Sequence, residues 1–142
     1  MSEIWFKRPT IVDLDGVHVQ TAVEWLGIEY LEVGDDFITA RMPVDHRTTQ
    51  PYGVIHGGVS MVLAETLASS AANACVDRSR FQCFGQEING NHLRPCSSGW
   101  VTGITRPIHL GRRSQVWSIE MRDEKGRMTC IARMTAAVVE IG

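Results

Sequence analysis

A chain of 142 residues fits one domain and is long enough to bury a continuous core. Apolar residues make up 44% and charged residues 21%, too apolar a balance for a disordered chain. The net charge of −2 offers no global basic footprint and argues against a nucleic-acid partner.

The opening MSEIWFKRPT has no apolar run of signal-peptide length, and nothing approaches the ~18 consecutive apolar residues of a membrane span. The expected location is therefore the cytoplasm, away from membranes. Ile11 to Leu26 is weakly helical, with Leu14, Val17, Val23 and Leu26 as core contacts. Ile28 to Met42 is strand-like around a turn at Gly34-Asp35-Asp36, with Ile38, Ala40 and Met42 on one face. A loop from Pro43 to His56 follows.

The period then changes. Val59, Val62, Leu63, Thr66, Leu67 and Ser70 recur at helical spacing among alanines, predicting a helix from Gly58 to about Ala74. It is apolar on nearly every side and is expected to be largely buried. Four strands are predicted after it: Phe81–Leu93, Trp100–His109, Gln115–Arg122 and Arg127–Ile141. Asp123 to Gly126 is the hairpin loop between the last two. Trp117, Ile119 and Met121 mark one buried face. Met128, Cys130, Ala132, Met134, Ala136 and Val138 mark another, small enough for a helix to approach. No repeat or linker interrupts residues 1–142, so the expectation is one α+β domain, an antiparallel sheet around one helix.

Cysteines 75, 83, 96 and 130 form no CxxC pair, and without a secretory signal they read as free thiols. Histidines 18, 46, 56, 92 and 109 supply neither HExxH nor HxH, so no metal site is expected. Glu65 carries the most information. A carboxylate inside an apolar helix needs a partner or a purpose, because desolvating it unpaired costs several kcal/mol. A solvated stripe or an arginine partner would satisfy it equally well. Ser69 lies one turn further on the same face, within reach of Glu65 or of a water beside it.

His56-Gly57-Gly58 opens the helix, where first-turn N–H groups have no intrahelical partner and suit a developing oxyanion. A plain glycine-rich helix entry would look the same, and the GxSxG elbow of the α/β-hydrolases is missing. Arg94, Arg106, Arg112 and Arg113 gather around Asn89–Pro95 and His109–Ser114. They suit phosphate groups, or simply a solvated strand connection.

The order of these features resembles the hotdog-fold acyl-CoA thioesterases of the bacterial branch with a glutamate on the central helix. The segments that carry it are MPVDHRTTQPYGVIHGGVSMVLAETLASSAA, GQEINGNHLRP, IHLGRRSQVWSIEMRDEKGR and CIARMTAAV, with WLGIEY and GDD. They span nearly the whole chain. The resemblance implies a curved antiparallel sheet wrapped around the helix, no cofactor, and a homodimer usually paired into a tetramer. Glu65 would be the nucleophile or the general base that activates water. The Gly57 N–H would polarise the thioester carbonyl, Gln50 and His56 would orient it, and Ser69 would assist.

Gly85, His92, Leu93, Arg94 and Pro95 match segments that contact CoA and substrate in that family. So do His109, Leu110, Gly111, Arg112, Arg113 and Ser114. The likeness is greatest to enzymes that cleave dihydroxynaphthoyl-CoA in menaquinone synthesis and to relatives that clear misacylated aryl carrier proteins. Ala68 replaces the glycine of LAExxGS and Gly90 the alanine of NANH, which leaves the acyl group open. A hotdog hydratase or dehydratase, or an inactive CoA-binding module, are the competing readings.

Helix geometry adds one expectation. Gly57 and Glu65 are separated by ~12 Å of helix rise. A donor and a carboxylate serving one carbonyl should lie within about 6–7 Å. A site shared between two chains removes the difficulty.

Overall fold

The computed structural model describes residues 2–142. Instead of one weak helix the N-terminal segment forms two short ones, α1 (Ile11–Gly16) and α2 (Ala22–Trp25). Thr10 caps α1 by accepting from the Asp13 N–H while the Asp13 carboxylate accepts from the Thr10 N–H, a reciprocal capping box. The break comes at Gln20, a non-glycine residue with φ 60°. Leu14 is buried, and Val23 and Leu26 pack against the core. Val17 is 71% exposed, so the core contact expected of it is wrong: α1 ends just before it.

The remaining elements are β1 (Glu29–Val33), β2 (Ile38–Pro43), α3 (Gly57–Ala74), β3 (Phe81–His92), β4 (Trp100–Leu110), β5 (Ser114–Arg122) and β6 (Met128–Glu140). Their order matches the sequence reading. The strands make one sheet in the order β1-β2-β4-β5-β6-β3, with every pair antiparallel. Two-residue alternation aims Ile38, Ala40, Met42, Trp117, Ile119, Met121 and Met134 at α3, all without exposure. Gly126 closes the β5–β6 hairpin at φ 77°.

Helix α3 departs from expectation in one respect. Leu63, Ala64, Leu67, Ala68, Ala71 and Ala72 are buried against the sheet, but the opposite face lines an open groove. Apolar Met61 and Val62 lie on that groove side, which is why the sequence reads as buried all round. An N-terminal strap closes the far end: the Phe6 N–H donates to the Ala74 carbonyl at 3.0 Å.

Strand β3 is the sheet edge beside α3, and it contains a bulge. Gly85 pairs with Ala136 and Glu87 with Thr135, leaving Gln86 as an extra residue. Before the bulge Cys83 and Gly85 share register positions with the helix-facing residues of β6. After it Ile88, Gly90 and His92 do so.

Candidate active site

The groove encloses about 810 Å³ between the N-terminal strap, α1, the outer face of α3 and residues 76–79. Glu65 and Ser69 both line it, as the sequence reading requires. Glu65 is half-buried, and among the described residues no ion pair involves it. Its carboxylate lies against the backbone of β3, where a Cβ added at Gly85 would come 3.0 Å from Oε2. Gly85 therefore makes room for the carboxylate. Ser69 does not bond Glu65; its hydroxyl donates to the Met134 thioether at 3.8 Å.

The N-terminal end of α3 gathers a second group. His56 is the N-cap, and its Nδ1 accepts from the Gly58 N–H at 2.9 Å. That bond fixes the neutral ring as the Nε2–H tautomer. The Val59 and Ser60 N–H groups donate to the His56 carbonyl. Among the described residues the Gly57 N–H is thus left without a partner in the first turn. His92 packs on it, with Nε2 2.9 Å from where a Gly57 Cβ would be. Backbone bonds from His56 to Thr48 and from Ile55 to Cys96, each 2.8 Å, hold the Gln50 loop and the chain after Pro95 at this end. Gln50 Oε1 accepts from the Tyr52 N–H. Leu93, Arg94 and Pro95 are exposed here.

His109, Leu110, Gly111, Arg112, Arg113 and Ser114 do not join them. They form the β4–β5 hairpin, where Ser114 pairs with Ala137, whereas His92 pairs with Cys130. Seven residues of β6 separate the two places, about 23 Å at 3.3 Å per residue. The arginines that gather in the sequence are thus dispersed. Arg94 lies at one end of the sheet and Arg112 and Arg113 at the other, while Arg106 is over the Phe37 ring. Arg112 and Arg113 are exposed and, among the described residues, unpaired with any carboxylate.

Sequence reasoning missed the other groove residues, including Met61, Ser70, Asn73, His18 and the strap. Their spacing carried no motif. The four cysteines are free, and burial pushes the Cys75 thiol up to about 12, far from a reactive thiolate. No helix among the described residues is long and apolar enough to cross a membrane.

The model of the thioesterase superfamily matches residues 52–130, more than half of the chain and all of α3. The chain belongs to that family. It is 44% identical to the 1,4-dihydroxy-2-naphthoyl-CoA hydrolase of Escherichia coli strain K12, over 96% of this chain and 99% of the relative. It is 47% identical to the proofreading thioesterase EntH of Cronobacter turicensis, over 96% and 98%. A crystal structure of a mutant thioesterase from Pseudomonas aeruginosa superposes with a TM-score of 0.96 at 45% identity, over 98% of this chain and all of that one. The fold is therefore the hotdog arrangement that the sequence resemblance implies. These names favour a thioester hydrolase over a hydratase or an inactive binding module.

Proposed function

We propose that the chain hydrolyses acyl-CoA thioesters, with aromatic acyl groups of the dihydroxynaphthoyl or hydroxybenzoyl type as substrates, in the cytoplasm. The observation that carries this reading is Glu65, a half-buried carboxylate without an ion-pair partner among the described residues, on the wall of a large groove. Glu65 acts at the thioester carbonyl carbon, either by direct attack or by taking a proton from the attacking water. The Gly57 N–H donates to the oxygen as it gains charge. Gln50 and His56 orient the ester, and Ser69 assists. The tetrahedral centre collapses with C–S cleavage. On the water route the proton taken by Glu65 passes to the departing CoA thiolate. On the direct-attack route the thiolate takes a proton from water, and a second water cleaves the mixed anhydride on Glu65 to the free acid.

Two copies complete each site. Gly57 and Glu65 are ~12 Å apart along one helix, and the two CoA-contacting segments lie at opposite ends of one sheet. The outer edge of β3, 12 residues long, has no partner strand among the described residues. Antiparallel pairing of this edge with a second copy sets the His92 end of one chain beside the Phe81 end of the other. Gly57 with His92–Pro95 would then come from one protomer, and Glu65 with Gly85 and the Arg112–Arg113 hairpin from its partner.

A free-thiol release assay across aromatic and aliphatic acyl-CoAs, with an aryl carrier protein thioester alongside, tests the reaction. Faster release from aromatic CoA esters is expected. Acyl-chain hydration without thiol release would overturn the hydrolase reading, and exclusive use of the carrier ester would move the substrate to the carrier protein. For the shared site, inactive Glu65→Ala chains are mixed with inactive Gly57→Val chains. Partial recovery of activity is expected, because one site in the mixed dimer is intact. No recovery after demonstrated subunit exchange places the site within one chain.

A further inference from the structure

A polar network on the groove wall takes no part in the chemistry above. Tyr30 of β1 is only 6% exposed, yet its hydroxyl lies 2.8 Å from His18 Nε2 and 2.7 Å from Ser70 Oγ. His18 stacks on the Tyr30 ring with centroids 5.6 Å apart. Both His18 and Ser70 line the groove that holds Glu65, with Tyr30 behind them. Leu14, Met61 and Val62 make part of the groove wall apolar, while Lys7, Arg8 and Asp77 bring charge to it.

A phenol has one proton to give. When Tyr30 donates it to Ser70, His18 donates to Tyr30 and the Ser70 proton is free for a ligand. When Tyr30 donates to His18, Ser70 donates to Tyr30 and offers its lone pairs instead. The network therefore serves a donor or an acceptor by shifting its protons. His18 Nδ1 also keeps its capacity, having no hydrogen-bond partner among the described residues. Burial pushes the His18 pKa down against the pull of Asp15, and it pushes Tyr30 up to about 12. Both groups are then neutral at pH 7, which suits an uncharged polar partner better than an ion.

Ser70 lies five residues beyond Glu65, ~7.5 Å along the helix axis and about 140° around it, a separation that a hydroxyaryl group can span when its carbonyl sits at Glu65. We propose that His18, Tyr30 and Ser70 form a specificity relay that recognises a hydroxyl substituent on the acyl group. This rests on the thioester hydrolase reading and names what that site selects. A purely structural tie between β1 and α3 would affect every substrate alike.

The test compares kcat/KM for benzoyl-CoA and for the ortho, meta and para hydroxybenzoyl-CoA isomers. Wild-type protein is expected to prefer at least one hydroxy isomer over benzoyl-CoA. Ser70→Ala and Tyr30→Phe should each lower that preference by roughly tenfold, the scale of one lost hydrogen bond. Ser70→Thr, which keeps the hydroxyl, should retain it. Binding of the same esters to Glu65→Ala protein, followed by calorimetry, should show the same order without turnover.

An absent preference, or one unmoved by both Ser70→Ala and Tyr30→Phe, overturns the relay while leaving the hydrolase reading intact. Loss of folding in Tyr30→Phe leaves the decision to Ser70→Ala. Failure to release thiol from any CoA ester defeats the hydrolase reading first and the relay with it.

Discussion

On one side α3 presents Leu63, Ala64, Leu67, Ala68, Ala71 and Ala72 to the sheet, none of them exposed. On the other it presents Glu65, Thr66, Ser69, Ser70 and Asn73 to the groove. The sheet side is fitted tightly enough that a Cβ at Gly103 would come 2.8 Å from Leu67 Cδ1. The groove side leaves about 810 Å³ open. On the proposed reading one helix separates two tasks, with stability on the face that excludes solvent and chemistry on the face that admits it. Substitutions should sort by face rather than by position along the helix.

The largest expected effect is on the groove face. Glu65→Gln keeps the shape but supplies neither base nor nucleophile, so kcat should fall at least roughly a hundredfold. Its unfolding midpoint should barely move. More than about a tenth of wild-type kcat, a barrier change of only ~1.4 kcal/mol, would remove Glu65 from its role.

The sheet face should answer in the opposite way. Leu67→Ala is expected to cost about 2–5 kcal/mol of stability in denaturant titration, with kcat of the folded fraction within a few-fold of wild type. A catalytic collapse without destabilisation would show that the two faces are coupled.

The smallest effect lies at the boundary, where Tyr30 reaches Ser70 between the faces. Burial holds the Tyr30 phenol at about 12 in the folded chain, against about 10 unfolded. Its contribution is complete below pH 10 and is lost as pH rises toward 12, because the unfolded chain releases the proton first. Urea midpoints measured between pH 10 and 12 should fall, and Tyr30→Phe should flatten that slope.

Strand alternation was readable because Trp117, Ile119 and Met121 repeat with the pleat and the sheet preserves it. The facing of α3 was not, since Met61 and Val62 are as apolar as Leu63 yet line a groove. Nor was the N-terminal break, since no glycine announces the positive φ at Gln20. Among the proposed site residues, Glu65 was legible as a charge in an apolar run, and Gly57 as a helix start. The dispersal of Arg94 from Arg112 and Arg113 was hidden, because strand β4 carries neighbours in sequence to opposite ends of the sheet. Tyr30 and Ser70 are forty residues apart and individually unremarkable, so nothing in the sequence joined them.

The extra residue at Gln86 makes the length of β3 as consequential as its composition. Were the strand to run through Gln86 as a regular residue, without the bulge, strict alternation would carry everything downstream to the opposite face. Asn89 and Asn91 would then turn toward the helix in place of Gly90 and His92. The methionine at 61, which now sits where a Gly90 Cβ would come 2.6 Å from its Cε, would meet an amide side chain instead. Deleting Gln86 alone would dissolve the bulge yet leave Ile88, Gly90 and His92 facing the helix, because the extra residue is what shifts the parity of the strand.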